Sequence, residues 1–297
     1  MVCRDVEVQM EVRPTTRSLD RAQRYLDTLL PEAGEIVRRH FRDRTYAQTR
    51  KAGVDFTTQA DEETDAFLRQ QLRREFPASV FLTEETAPPD WSAFRTAKDV
   101  WVIDPLDGTI NFSRGTAHFA ISVAWVSRGQ TSIGAIYEPM THDYYFARVD
   151  QPAALKNGAR LRVSRTRTLR EVVIACDWGW DLQRRKDIVR ALDILCMRVR
   201  QIKSMGSAVA DLAQLAEGRI DAYLHSDLKP WDVAAASLLI TKARGTITTI
   251  AGGRWNIFDS SILAATPSLH PRILRLLTGI RSYTSPPLAH ETGRNGC

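Results

Sequence analysis

The sequence predicts a layered α/β sandwich, an α+β fold in which helix layers alternate with sheet layers, and three patterns in its 297 residues predict it. Two amphipathic helical stretches come first, a dense run of apolar strands follows, and beyond about residue 150 helices and strands alternate without a regular βαβ count. The opening helix is expected over 19–41, where Tyr25, Leu26, Leu29, Leu30, Ile36 and Val37 recur at helical intervals. The second is expected over 61–76, through Phe67, Leu68, Leu72 and Phe76. Short β-rich runs at 80–82 and 100–103 end in acidic residues, and 119–126 with 132–137 read as paired strands around Arg128-Gly129. Strands are then expected at 161–163, 172–176 and 222–224, and helices at 187–198, 208–217 and 233–243, the last opened by Trp231-Asp232.

No repeat and no interior linker interrupts this order, so one core is expected for two halves. These are an N-terminal α+β half, 17–150, holding most of the acidic candidates, and a C-terminal α/β half, 151–280. Residues 1–16 and 281–297 are aperiodic or turn-rich and read as loose tails.

Composition narrows the function classes. The formal charge of +6 and pI near 9.3 would suit a polyanionic partner. The arginines at 162, 165, 167, 170, 184 and 185 nevertheless read as solvated faces, because no aromatic-interleaved motif accompanies them; nucleic acid is not the expected partner. Cys3, Cys176, Cys196 and Cys297 show neither CxxC nor Cys/His spacing, so neither a zinc site nor a disulfide framework is indicated and a reducing compartment is expected. The first residues mix charges where a signal peptide needs an apolar core, and no stretch approaches about 18 apolar residues. A soluble, cytoplasmic protein is expected.

The acidic residues carry the chemistry. In Trp101-Val-Ile-Asp-Pro-Leu-Asp-Gly-Thr-Ile-Asn-Phe112 an apolar strand runs straight into Asp104 and Asp107. Pro105 fixes one φ and Gly108 permits a tight turn, so the two carboxylates can converge while the Leu106 carbonyl turns inward, a hard-oxygen set suited to Mg²⁺. A helix beginning near Gly108-Thr109 would aim its unpaired N–H groups at a phosphate. Taken alone the hexapeptide is also an ordinary capped turn. Glu84-Glu85 ends another apolar strand and Asp232 opens a helix, so three element ends can point acids at one place.

In this order of motifs the sequence resembles the inositol monophosphatase family, of the lithium-sensitive, metal-dependent phosphatase superfamily that includes fructose-1,6-bisphosphatases. The residues that carry the resemblance are Asp61, Glu84-Glu85, Asp104 to Thr109 and Trp231-Asp232. It extends from about residue 20 to about 268, through Ala120-Ile-Ser-Val-Ala124, Asn157-Gly158, Gly206-Ser-Ala208 and Gly218-Arg-Ile-Asp221. The resemblance implies two to three Mg²⁺ ions. One would take Glu84, Asp104 and the Leu106 carbonyl, a second Asp104, Asp107 and Asp232, and a third, weaker one Glu84 and waters. It assigns the orientation of the attacking water to Asp61 and Thr109, with Glu84 also catalytic, and implies a homodimer acting on a small phosphate ester.

Substrate contacts implied by the resemblance fall on Gly108, Thr109, Ala208, His225 and Asp232, with Lys51 in a loop over the metals. His225 departs from the pattern, since inositol-hydrolysing relatives place a glutamate there. Thr83 replaces a glycine, and Lys242-Ala-Arg-Gly245 a Glu-Ala-Gly-Gly. The expected function is a Mg²⁺-dependent phosphomonoesterase acting on a polyol or sugar-like phosphate of the inositol 1-phosphate type. Fructose 1,6-bisphosphate, histidinol phosphate and 3′-phosphonucleotides are the alternative substrates, and a non-catalytic metal- or nucleic-acid-binding protein is the alternative class.

Overall fold

A computed structural model describes residues 14–46, 48–50 and 56–278, so the expected tails lie outside the described residues except for 14–16. Of these, Thr16 begins a helix, α1 (Thr16–Asp43), and Thr15 caps it by accepting the Ser18 N–H at 3.2 Å. A short hairpin follows, β1 (Gln48–Arg50) and β2 (Phe56–Thr58), then α2 (Gln59–Glu75), β3 (Val80–Thr83), α3 (Ser92–Thr96), β4 (Val100–Asp107) and α4 (Thr109–Ser113). A meander of β5 (Ala120–Ser127), β6 (Gln130–Glu138) and β7 (Asp143–Arg148) continues into the two-residue strands β8 (Leu155–Lys156) and β9 (Ala159–Arg160). Then come β10 (Val173–Cys176), α5 (Leu182–Cys196), β11 (Gln201–Lys203), α6 (Ala208–Glu217) and β12 (Ala222–His225). The described chain ends with α7 (Pro230–Lys242), β13 (Thr246–Thr248), β14 (Ile262–Ala265) and α8 (His270–Leu277).

Two large sheets result, a seven-stranded one in the order β3-β4-β5-β6-β7-β8-β9 and a five-stranded one in the order β11-β10-β12-β14-β13. Period-2 alternation sends each strand's side chains to two buried faces. From β4 and β5, Trp101, Ile103, Ile121, Val123 and Trp125 face α1 and α2, with the two indoles stacked 5.6 Å apart. Val102, Ala120 and Ala124 face the other way, onto α6 and α7. Tyr223 of β12 closes that middle layer from the second sheet, while Ala222 and Leu224 turn outward to pack with α5 and α8. Helix pair, sheet, helix pair, sheet, helix pair is the observed order of layers, the alternation expected from the sequence.

Several details differ from that expectation. Residues 161–163 form no strand: Leu161 and Val163 make single bonds to Ala154 and Ala243 as the chain crosses from one sheet to the other. Helix α5 starts at Leu182, earlier than residue 187, because Asp181 caps it through the Gln183 and Arg184 N–H groups while its first turn buries too little to show a periodicity. Strands β1, β2, β7, β8, β9, β11, β13 and β14 and helices α3 and α8 add to the expected set. No helix among the described residues is long and apolar enough to cross a membrane.

Candidate active site

Three positions apart on a regular strand, Asp104 and Asp107 would face opposite sides of the sheet. A register shift against β5 falls between them: Asp104 pairs with Ser122 and Asp107 with Ala120, so three steps on β4 match two on β5. Pro105, with no N–H to give the ladder, sits in the bulge, and the Leu106 N–H turns back to Asp104 Oδ1 at 3.1 Å. Both carboxylates thereby reach one side. Gly108 ends the strand at φ 98°, a conformation open to glycine, and a Cβ there would lie 3.0 Å from the His118 carbonyl.

The third acid arrives on α7. The Lys229 N–H donates to Asp232 Oδ2 at 2.7 Å, fixing the first turn, and the Ser122 hydroxyl donates to the Trp231 carbonyl at 3.1 Å, holding the helix on β5. Asp107 is anchored to α6 by the Ser207 hydroxyl and by the Val209 N–H at 2.8 Å. Oxygens of Asp104, Asp107 and Asp232 then lie within 4.8 Å of one another. Among the described residues no Lys, Arg or His forms an ion pair with any of them. Burial pushes all three well above the usual carboxylate range, and their mutual charge with that of Glu84 pushes further. An all-oxygen acidic set, with Asp104 buried, Asp107 and Asp232 half-buried and no ion-pair partner among the described residues, is what a hard divalent cation stabilises.

Glu84 opens a 3-10 turn immediately after β3, whose parallel pairing sets Thr83 beside Ile103 and so brings Glu84 alongside Asp104. It stands outside the tight trio, yet after burial its charge contributes most to raising Asp104. Asp61 sits in the first turn of α2, where Oδ2 accepts the Thr58 N–H at 2.9 Å and the Thr58 hydroxyl. Its other oxygen, Oδ1, accepts from the Thr109 hydroxyl at 2.9 Å, and that hydroxyl is also 3.1 Å from the Leu106 carbonyl. Burial raises Asp61 to about 7, with the Thr58 bonds opposing and the Glu84 charge adding.

On the opposite rim, Ala208 is the first residue of α6 and packs into the middle layer. His225 ends β12, 5 % exposed, its ring parallel to that of Tyr223 and its Nδ1 accepting the Asp227 N–H at 3.0 Å. Lys51 lies outside the described residues. Sequence reasoning did not reach the supports: Thr58, Ser122, Ser207 and the His118–Asp211 pair at 2.9 Å. Ser207 was legible as a helix cap from its place before an apolar run, but not its second bond to a carboxylate one hundred residues away.

Burial lowers His225 to about 4. The unfolded chain therefore binds a proton that the folded one refuses, and stability falls as pH drops below the unfolded value near 6.5. Between pH 7 and pH 5.5 this contributes a loss of about 1 kcal/mol, expected to be absent from His225→Asn, whose side-chain oxygen can still accept the Asp227 N–H. Urea unfolding of both proteins at the two pH values measures it; equal slopes would place the ring in water.

The comparisons with known proteins agree with this geometry. The family model described as the inositol monophosphatase family matches residues 21–282. The chain is 33 % identical over 243 residues to the inositol-1-monophosphatase of Bacillus subtilis, covering 82 % of this chain and 91 % of that one. It is 34 % identical over 221 residues to the Nus factor SuhB of Vibrio cholerae, covering 74 % and 81 %. Among solved structures, the extragenic suppressor protein SuhB of Bartonella henselae superposes with a TM-score of 0.79 at 29 % identity, covering 86 % of this chain and 98 % of that one. The IMPase of Thermotoga maritima does so with 0.78 at 27 %, covering 88 % and 97 %. With its alternating layers, its acidic centre and a match over most of its length, the chain belongs to the inositol monophosphatase family.

Proposed function

We propose that this protein is a Mg²⁺-dependent phosphomonoesterase that hydrolyses a small polyol or sugar-like phosphate by in-line attack of water. The observation that carries this reading is the meeting of Asp104, Asp107 and Asp232 beside the Asp61–Thr109 bond. Glu84, Asp104, the Leu106 carbonyl, Asp107 and Asp232 are the groups that would hold Mg²⁺. When bound, the metal supplies a Lewis acid that makes water nucleophilic at neutral pH and offsets charge on the phosphoryl oxygens.

The chain's own part is positioning. Thr109 donates its hydroxyl hydrogen bond to Asp61, which leaves the Oγ1 lone pairs to accept a hydrogen bond from the attacking water and aim it. The first-turn N–H groups at 108–110, which α4 cannot pair internally, are placed for a phosphate oxygen. Ala208 and His225 face the leaving group. Thr109→Ala is expected to lower kcat by about 10²-fold with KM little changed, while Thr109→Ser keeps most of the rate. Steady-state kinetics of both variants check this; equal losses would mean that the methyl group, not the hydroxyl, is what counts.

The B. subtilis relative named an inositol-1-monophosphatase supports catalysis, while the relatives named Nus factor SuhB support a second reading as a binding protein. Phosphate release from inositol 1-phosphate, fructose 1,6-bisphosphate, histidinol phosphate and glycerol 2-phosphate, with Mg²⁺, with chelator and with millimolar Li⁺, separates them. Mg²⁺-dependent, Li⁺-inhibited release of phosphate is the expected result, and absence of release from every ester would overturn the reading.

A further inference from the structure

Strand β3 is an edge of the seven-stranded sheet and is paired on one side alone, with β4. An edge strand has half of a ladder to hold it, and exposed backbone hydrogen bonds open more readily than enclosed ones. Glu84 follows directly on that strand, whereas Asp104 and Asp107 sit on β4, between two partners, and Asp232 in the first turn of α7. The Glu84 charge bears on all three aspartates. Its place relative to them therefore depends on what holds the chain beyond β3.

That chain is a strap fixed along its length. The Thr83 and Thr86 hydroxyls lie 2.8 Å apart and close the turn around Glu84 and Glu85. Pro88 and Pro89 then fix two φ angles in an exposed stretch. Asp90 accepts the Ser92 N–H at 2.9 Å and the Ser92 hydroxyl at 2.8 Å, and the Phe94 N–H donates to the Trp91 carbonyl at 3.0 Å, which starts α3. At the far end the Arg128 N–H donates to the Ala97 carbonyl at 2.7 Å, and the Arg95 guanidinium lies 4.7 Å over the Phe258 ring. From 86 to 98 the residues are exposed except Ala87, Trp91, Phe94 and Ala97, and these four pack on the layer that holds α6 and α7.

Trp91 meets α7 at its first turn. Its ring stands edge-on to Trp231, with centroids 5.4 Å apart and planes at 69°. Trp231 directly precedes Asp232, is 7 % exposed, and has its carbonyl held by the Ser122 hydroxyl at 3.1 Å. The Trp91 Nε1 is buried with no hydrogen-bond partner among the described residues, so packing, not a hydrogen bond, fixes this ring. The contact joins the segment that carries Glu84 to the helix that carries Asp232, two elements that share no ladder.

We infer that Trp91 is a positioning residue of the metal centre: through Trp231 it ties the Glu84 turn to α7, and so sets how closely the Glu84 carboxylate stands to the three aspartates. This rests on the metal-dependent reading above. A cation held by Glu84 as well as by the trio binds more weakly when the glutamate can drift, because ordering it then opposes binding.

The test measures, on the full chain without ester, the Mg²⁺ concentration that gives half of the rise in melting temperature. Trp91→Ala is expected to increase it about 10-fold, while KM at saturating Mg²⁺, for the ester hydrolysed fastest in the panel above, changes by less than about twofold. Trp91→Phe keeps an aromatic edge against Trp231 and should stay within about threefold of wild type. Glu84→Gln should raise the Mg²⁺ concentration too, and adding Trp91→Ala to Glu84→Gln should raise it no further, because the tryptophan acts through the glutamate. If Trp91→Ala does not fold, Trp91→Leu, which keeps apolar burial without the ring, is read in its place. A wild-type Mg²⁺ response beside a lower melting temperature in chelator would make Trp91 a packing residue, and a full extra shift in the Glu84→Gln background would mean that it acts elsewhere. Either result overturns this inference alone. A wild type that Mg²⁺ neither stabilises nor activates overturns the metal-dependent reading and this inference with it.

Discussion

Replacing Asp104 with asparagine is expected to lower Mg²⁺-dependent hydrolysis by about three orders of magnitude or more while leaving the fold intact. The local structure tolerates the change, because the asparagine oxygen can still accept the Leu106 N–H that Asp104 Oδ1 accepts at 3.1 Å. What is lost is charge, at a position where burial and the acidic neighbours hold the carboxyl well above the usual range. In chelator the variant should melt at or above the wild-type temperature, since one buried, crowded carboxyl has gone. In Mg²⁺ the wild type should gain stability that the variant does not. Turnover and melting curves with and without Mg²⁺ decide it; hydrolysis within tenfold of wild type would remove Asp104 from the metal centre.

A second large effect is expected far from the chemistry. Gly134 of β6 lies between Ala124 of β5 and Ala147 of β7, a floor of small residues on which α7 rests. A Cβ at 134 would stand 2.4 Å from the Ala235 carbonyl oxygen and 3.0 Å from its Cα, backbone atoms of the helix itself that no rotamer change can move aside. Gly134→Ala should therefore destabilise the protein by about 3 kcal/mol, at the upper end for overpacking, and raise the Mg²⁺ concentration needed for half-maximal rate, because the displaced helix carries Asp232. Urea unfolding with a Mg²⁺ titration of activity tests both, and a fully stable variant would refute so close an approach.

How much of this was written plainly in the sequence depended on range. The Asp-Pro-Leu-Asp-Gly-Thr turn was legible because proline, glycine and the apolar run before it act within a few residues of one another, and α4 does start where Gly108 allows it. The helices near residues 20 and 60 were legible because their apolar stripes span several turns. Strand β7 was not, its Tyr144-Tyr145-Phe146 cluster alternating weakly between two buried faces. Nor was the end of β9, where Leu161 and Val163 keep an alternating pattern that the crossing chain does not turn into a ladder. In the site, each acid was visible by type and setting, but the bulge that turns Asp104 and Asp107 to one side is a property of the pairing with β5. The same holds for the turn at 177–181, where Asp177 accepts from the Ser204 hydroxyl and the Gly206 N–H and the Asp181 N–H donates to Asp227, partners 27 to 46 residues away.

The place of α7 between the two sheets has a kinetic consequence. Asp104 and Asp107 belong to the seven-stranded sheet, but Asp232 arrives only when the helix has docked on Ser122 and Gly134, so neither sheet holds a complete ligand set by itself. Affinity for a divalent cation at this trio is therefore expected only once α7 has docked. Interactions that form after the rate-limiting barrier slow the reverse reaction and leave the forward one untouched, so a cation held by all three carboxylates is expected to slow unfolding and leave the folding rate unchanged, a latch on a finished molecule and not a nucleus for an unfinished one.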